Sequence, residues 1–379
     1  MTSVYLDYNA TAPIRPEAAE AAGCALAIGG NPSSVHAAGR LARAAVEKAR
    51  DQVAALIGVK PGSITFTSGG TEANALAIES AVAAGAKRPL VSMTDHVSVL
   101  ATAAAAGFWT EAWPVTGDGL ADLDWLDQRL KAWKAEDGAP FAALSLANNE
   151  TGVIQPVAEA AALLHAAGGW LHVDAVQAVG KIAVDFAETG ADSMALSSHK
   201  LGGPQGAGAL VAGTRATLSR RLHGGGQERG RRAGTENVSG IAGFGAAADA
   251  ALRDLPLAST QAGWRDAVQT RLSQEAEIEV FGAKVARLPG VLCFGCEGFD
   301  AERQVMALDL DGVMVSAGAA CSSGKMAPSQ VLIAMGFTPL ANSAIRVSGG
   351  WNSTEADWTR FADVWLAAYA RHQRRRSAA

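Results

Sequence analysis

Apolar positions recur at helical spacing from Val35 to Ile57, with Leu41, Ala45, Val46, Ala49, Val53 and Leu56 on one face and Gly58 as a stop. The run Ser63 to Thr67 predicts a short strand. It leads through Ser68-Gly69-Gly70-Thr71-Glu72 into an alanine-rich helix ending near Gly85. Pro89 to Met93, Phe141 to Leu146, Trp170 to Asp174, Ser193 to Leu196 and Ala207 to Val211 predict further buried strands, and Val157 to Ala167 a further helix. Short apolar strands alternating with helices imply a mostly parallel sheet covered on both faces, with ligands at the carboxyl ends of its strands. After a helix from Ala246 to Leu255 the pattern changes. Val291 to Phe294, Val313 to Val315 and Ser343 to Val347 predict a smaller sheet. Thr354 to Arg371 predicts a terminal helix with Trp358, Phe361, Trp365 and Tyr369 mostly on one side. The expected fold is therefore α/β: a large, mostly parallel-sheet domain over 15–250, and a smaller α+β domain built from 1–14 and 251–379.

A length of 379 residues suits two domains. Hydrophobic residues make up 49% and charged residues 18%, with a net charge of −5, which argues against disorder and against a primary nucleic-acid binder. No basic and apolar leader opens the chain, and no apolar run reaches the ~18 residues of a membrane span. Four cysteines (Cys24, Cys293, Cys296 and Cys321) exclude a disulfide framework and suit a reducing cytoplasm. The basic end from Arg371 to Arg376 reads as a solvated helix end, with contact to an acidic partner as the alternative.

Three features bear on chemistry together. Lys200 follows a buried strand and precedes Gly202-Gly203-Pro204. A desolvated lysine loses proton affinity and can form a Schiff base, and the glycines would let backbone approach a flat ligand. Asp174 closes a strand, with Gln177 three residues on; a carboxylate there can keep a pyridinium nitrogen protonated, or simply cap a helix. The turn at Gly69-Gly70-Thr71 opens a helix and offers an anion seat. An aldehyde for the lysine, a ring nitrogen for the aspartate and a phosphate for the turn specify pyridoxal 5'-phosphate. His96, after a strand, could stack on the ring and relay protons, or be a loop histidine. Cys321 lies among small residues in Gly318-Ala319-Ala320-Cys321-Ser322-Ser323-Gly324, which suits attack rather than packing. Cys293 and Cys296 read as strand or strand-end thiols, and Cys24 as a packing residue of an alanine-rich helix. Arg346, a charge inside a strand, could clamp a substrate carboxylate or form an internal salt bridge.

These residues stand in an order that resembles the cysteine desulfurase family of pyridoxal-phosphate enzymes, within the class-V aminotransferase superfamily. The likeness runs nearly end to end. It includes Leu6-Asp7-Tyr8-Asn9-Ala10-Thr11, Thr67-Ser68-Gly69-Gly70-Thr71-Glu72, Asn148-Asn149-Glu150-Thr151-Gly152, Asp174-Ala175-Val176-Gln177, Ser197-Ser198-His199-Lys200, Gly224 to Asn237, and the Cys321 segment. The resemblance implies aminotransferase fold type I. It implies that Lys200 carries the cofactor as a Schiff base, Asp174 pairs the ring nitrogen, Gln177 the phenolic oxygen, and His96 stacks on the ring. Gly70, Thr71, Ser197, Ser198 and His199 would hold the phosphate, Asn149 would line the cofactor and substrate pocket, and Arg346 would take the substrate carboxylate. Thr235 would reach the phosphate of the other subunit of a homodimer with shared sites.

The implied reaction converts L-cysteine to L-alanine through a persulfide on Cys321. The sulfur goes to an acceptor or scaffold protein for iron–sulfur cluster assembly in the cytoplasm. Gly70, Ser198 and Ala319 depart from the alanine, glycine and serine common in the family. The alternative is another fold-type-I aminotransferase or lyase, selenocysteine lyase included, with Cys321 incidental. A sulfur carrier or cluster scaffold without catalysis is a further alternative, against which the intact set Lys200, Asp174 and His96 argues.

Overall fold

The computed structural model describes residues 3–106, 110–318 and 327–377; Cys321 lies outside them. The chain opens on a two-residue strand, Val4–Tyr5 (β1), and the helices Pro16–Ile28 (α1) and Ala37–Leu56 (α2). Seven strands then build the main sheet: Ile64–Thr67 (β2), Leu90–Ser92 (β3), Glu111–Trp113 (β4), Phe141–Ser145 (β5), Trp170–Asp174 (β6), Ser193–Ser197 (β7) and Gly208–Ala212 (β8). Their order is β2-β8-β7-β6-β5-β3-β4, and β8 alone runs against its neighbours. The carboxyl ends of the other six therefore share one edge.

Gly70–Ala83 (α3), Val97–Ala105 (α4), Leu123–Lys131 (α5), Val157–Ala166 (α6) and Val238–Asp254 (α7) accompany this sheet. Strands β5, β6, β7 and β8 are buried along their whole length, as a sheet covered on both faces requires. A second sheet is antiparallel. Ser316–Ala317 (β12), Ala344–Ser348 (β13), Val291–Gly295 (β10) and Glu279–Val280 (β9) lie in that order, while β1 pairs with Val313–Met314 (β11). Its core joins Val4 and Leu6 to Phe294, Trp358, Phe361 and Trp365, the last three from the terminal helix Glu355–Ser377 (α8).

On α2 the expected face is buried at Val46, Ala49, Val53 and Leu56, with Ala45 half-buried. Leu41 is exposed, and Ala42 and Arg50 join the buried stripe instead. A charge can occupy that stripe because Arg50 meets Glu228 in a two-pronged ion pair, 2.8 Å on each side. Glu228 also accepts the Phe66 N–H at 2.9 Å, and the Arg50 guanidinium lies over the Phe66 ring. Cys24, expected to pack, is exposed, because α1 buries Ala18 and Ala25 instead. Cys293 lies buried on β10 and Cys296 is buried just beyond it, as expected.

Glu228 and Arg229 both hold positive φ, 47° and 58°. That costs energy for residues with a Cβ, and the Arg50 pair offsets it. Arg50→Met strands a buried carboxylate, so it is expected to cost about 3–5 kcal/mol and lower the urea midpoint. Adding Glu228→Gln to Arg50→Met should recover a large part of the loss. No recovery would show that the pair's charge is not what holds the loop.

Candidate active site

Five strand ends converge on a cavity of about 210 Å³ at the carboxyl edge of the main sheet. Beyond β2 come Gly70, Thr71 and Asn74 of α3. Beyond β3 comes His96, and beyond β5 come Ala147 and Asn149. Asp174, Val176 and Gln177 lie at and after the end of β6, and Ser197, His199 and Lys200 at the end of β7. The first turn of α3 presents free backbone N–H groups there, an anion seat by geometry and dipole. A Cβ on Gly70 would stand 2.7 Å from Val176 Cγ2, so glycine lets the helix end approach β6.

Asp174 is held by two donors. Its Oδ1 accepts from Val176 N–H at 3.0 Å and its Oδ2 from Asn74 Nδ2 at 2.8 Å. Behind Asn74 runs a buried chain whose directions are set from the carboxylate. With Asn74 Nδ2 turned to Asp174, Asn74 Oδ1 accepts from His172 Nε2–H at 2.9 Å. The other nitrogen of the neutral ring, Nδ1, then accepts from the Ser193 hydroxyl at 2.9 Å, while Ser193 Oγ receives the Trp170 indole N–H at 3.1 Å. Both hydrogens of the Asn74 amide are then directed to Asp174 and, at 3.0 Å, to Ser98 Oγ. Burial pushes His172 down to about 3, so the ring in this chain is neutral.

Ser98 passes the pattern to His96. Its N–H and its hydroxyl both reach His96 Nδ1, at 3.1 and 2.8 Å. Neutral His96 thus carries its proton on Nε2. Burial lowers its proton affinity, Asp174 raises it, and Lys200 lowers it; the net direction is downward.

Lys200 Nζ donates to the main-chain oxygens of Asn9 and Ala10 at 2.5 and 2.8 Å. His199, pushed down to about 4 by burial, Lys200 and Lys181, meets Thr11 Oγ1 through Nδ1 at 3.2 Å. Asn149 lines the cavity, and its main-chain oxygen accepts from Asn9 Nδ2 and Arg346 Nη1, at 3.0 and 3.1 Å.

The residues singled out in the sequence separate into those at the cavity and those outside it. Gly70, Thr71, His96, Asn149, Asp174, Gln177, Ser197, His199 and Lys200 all line it. Ser198 does not: it is fully buried, with Oγ where a Cβ on Gly203 would lie 2.2 Å away. Gly202 likewise faces Arg15, Pro13 and Trp351 rather than a ligand, so this glycine pair serves packing. Arg346 forms the internal salt bridge, Nη2 to Asp7 Oδ1 at 2.7 Å, and its buried Nε has no partner among the described residues. Thr235 is exposed on the loop before α7. Asn74, Ser98 and His172 escaped the sequence reading. His172 had a signal, since alternation along β6 puts it on the same face as Asp174.

An amine, a carboxylate held by fixed donors, and a helix N-terminus around one cavity fit pyridoxal phosphate, and with this sheet they define a fold-type-I enzyme of that cofactor. Residues 4–361 match the class-V aminotransferase family. A cysteine desulfurase of Cereibacter sphaeroides is 42% identical, covering 96% of this chain and 95% of that protein. The cysteine desulfurase IscS of Dictyoglomus turgidum is 37% identical, covering 95% and 93%. The X-ray structure of a NifS-like protein from Rickettsia africae aligns with a TM-score of 0.89 at 30% identity, over 97% of this chain and 99% of that one. The chain belongs to the class-V aminotransferases, which depend on pyridoxal phosphate, and within them to the cysteine desulfurase family.

Nitrogen-15 NMR of histidine-labelled protein is expected to show His172 as the neutral Nε2–H tautomer throughout about pH 5 to 8. A resonance that titrates within that range, or an Nδ1–H tautomer, would contradict the direction of the Asp174 chain.

Proposed function

We propose that this chain is a pyridoxal-phosphate-dependent cysteine desulfurase that converts L-cysteine to L-alanine and passes the sulfur through Cys321 to an acceptor protein for iron–sulfur cluster assembly. The observation that carries the reading is the meeting of Lys200, Asp174 and the first turn of α3 at one cavity, in a chain of this family. The cofactor, when bound, supplies an aldehyde for amines and a cationic ring that withdraws electrons.

Lys200 holds the aldehyde and afterwards moves a proton. Asp174, acceptor-only and fixed by Asn74 and Val176, keeps the ring nitrogen protonated. Gln177 meets the phenolic oxygen. Gly70, Thr71, Ser197 and His199 hold the phosphate, with Ser198 buried behind them. His96 stacks on the ring and offers Nε2–H. Asn149 positions the substrate, and Arg346 takes its carboxylate; the open Nε on Arg346 supports this role. Sulfur passes to the Cys321 thiolate as a persulfide. The substrate Cβ–S bond breaks, an S–S bond forms, and the carbon skeleton takes up a proton and leaves as alanine.

The site is completed in a homodimer, Thr235 of each subunit reaching the other's phosphate. Its exposure supports this, as do the exposed apolar residues Leu26, Val35 and Leu41 on and beside α1 and α2. The large unit spans 15–250, and 1–14 with 251–379 form the unit bearing Arg346 and Cys321. A thiol that carries sulfur requires a reducing compartment, which supports the cytoplasm. No helix among the described residues is long and apolar enough to cross a membrane.

Purified protein with pyridoxal phosphate should release alanine from L-cysteine. Cys321→Ser should abolish sulfur transfer to an acceptor; retained transfer would reject the Cys321 route, and amino-acid turnover indifferent to Cys321 would favour a transaminase or lyase. Lys200→Ala should lose the visible absorption of the lysine-bound cofactor.

The pH profile gives a further check. Burial holds His96 below its ordinary 6.5, and protonating it would also break the Ser98 bond to Nδ1. Neutral imidazole is therefore the form at neutral pH, and activity falls only below that value. The acid limb of kcat/KM should lie below pH 6.5 and change in His96→Gln. A limb that survives unchanged belongs to another group.

A further inference from the structure

Lys181 lies outside the cavity, four residues past Gln177, and takes no part in the steps above. Its bonds nevertheless reach the cavity wall. Nζ donates to Gln177 Oε1 at 2.7 Å and to Asn9 Oδ1 at 2.6 Å. Asn9 Oδ1 is the acceptor there because Asn9 Nδ2 is engaged with Asn149 O at 3.0 Å. Gln177 Nε2 donates to the main-chain oxygen of Asn9 at 3.0 Å, the same oxygen that receives Lys200. A lysine nitrogen has two hydrogens even when neutral, so it supplies both bonds in either protonation state. A flipped Gln177 amide would set donor against donor at Lys181 and oxygen against oxygen at Asn9. Both neighbours therefore select one orientation.

We propose that Lys181 is a positioning residue for the reaction: it pins the carbonyl of Gln177 and turns the amide NH₂ toward the cavity, so that Gln177 meets the cofactor's phenolic oxygen as a hydrogen-bond donor. This rests on the reading of Lys200 and Gln177 given above. Loss of water, Lys200 and Arg346 push Lys181 well below the usual lysine range. The proposal rests on its two donated bonds, which either protonation state supplies, and an aligned donor at the phenolic oxygen favours the unprotonated form of the nitrogen that Lys200 would share with the cofactor. The other titratable groups at the cavity, His96, Asp174 and His199, lie on elements the substitution leaves in place.

The test is a pH titration of the visible absorption band of the holoenzyme. Lys181→Met is expected to raise the midpoint by about 0.5 to 1 unit, because the phenolic oxygen loses an aligned donor. Lys181→Arg keeps two donors and should stay closer to wild type than Lys181→Met, within about 0.2 unit. In a Gln177→Ala background the Lys181→Met shift should shrink to less than about half, since residues acting through one another are not additive. A purely structural lysine would lower Tm and leave the midpoint in place, which overturns the proposal; so does a full shift without Gln177. If Lys181→Met does not fold, Lys181→Gln, which cannot donate to both partners in the same way, carries the same comparison. Loss of wild-type sulfur transfer with these midpoint shifts intact would overturn the reading of function and leave this inference standing.

Discussion

A carboxylate inside a protein keeps its charge only where donors are fixed around it, and Asp174 depends on donors that are themselves fixed. The order starts at the carboxylate, which turns the Asn74 amide, and runs back through His172 and Ser193 to the Trp170 indole. Turning the Asn74 amide over would set acceptor against acceptor at Asp174, at a cost of about 1–3 kcal/mol. Neutral His172 lets Nδ1 accept the Ser193 hydroxyl while that same oxygen receives the indole. Asn74 divides its two hydrogens between Asp174 and Ser98, so the aspartate and the histidine above it are oriented by one amide.

The N-terminal segment performs the matching task for the amine. Asn9 reaches the main sheet through Gln177, Lys181 and Lys200, the β5 end through Asn149, and the second sheet through Ser348 Oγ, which accepts its N–H at 3.0 Å. Asp7 pairs with Arg346 on β13, and Arg346 turns back to Asn149. Residues Asp7 to Ala10 thus tie the lysine, the glutamine and the arginine into one hydrogen-bonded floor, although they come from distant parts of the chain.

How legible each part is in the sequence follows from the range of the contacts that create it. Lys200 and Asp174 stand out because each ends an apolar run, where a charge is unexpected, and the strand pattern around them is local. The terminal helix is legible too: its aromatic spacing marks the face on which Trp358, Phe361 and Trp365 are buried. Arg50 misleads for the opposite reason. A charge on the buried stripe of α2 is met in the core by a carboxylate 178 residues away, so the sequence pattern passes over Arg50 and counts the exposed Leu41. Lys181 and Asn74 sit in ordinary polar positions, and their importance lies in bonds spanning 172 and 100 residues. Ser198 and Gly202-Gly203 look like ligand contacts by adjacency to Lys200. The turn points them inward, and only its neighbours Ser197, His199 and Lys200 face the cavity.

The anion seat poses its own electrostatic problem, since Glu72 lies in the first turn of α3, where a bound phosphate would meet a second negative charge. Burial alone would raise the proton affinity of Glu72, but Arg232 at 2.9 Å and the N–H of Ser68 hold it below the ordinary range and keep it a paired carboxylate. Arg232 belongs to the same loop that Glu228 anchors to Arg50 and that exposes Thr235. Neutralising the seat and presenting Thr235 are therefore properties of one tethered segment. A change that freed the loop would uncover the Glu72 charge beside the first turn of α3 at the same moment as it displaced Thr235; in the homodimer proposed above, the two effects would weaken anion binding together.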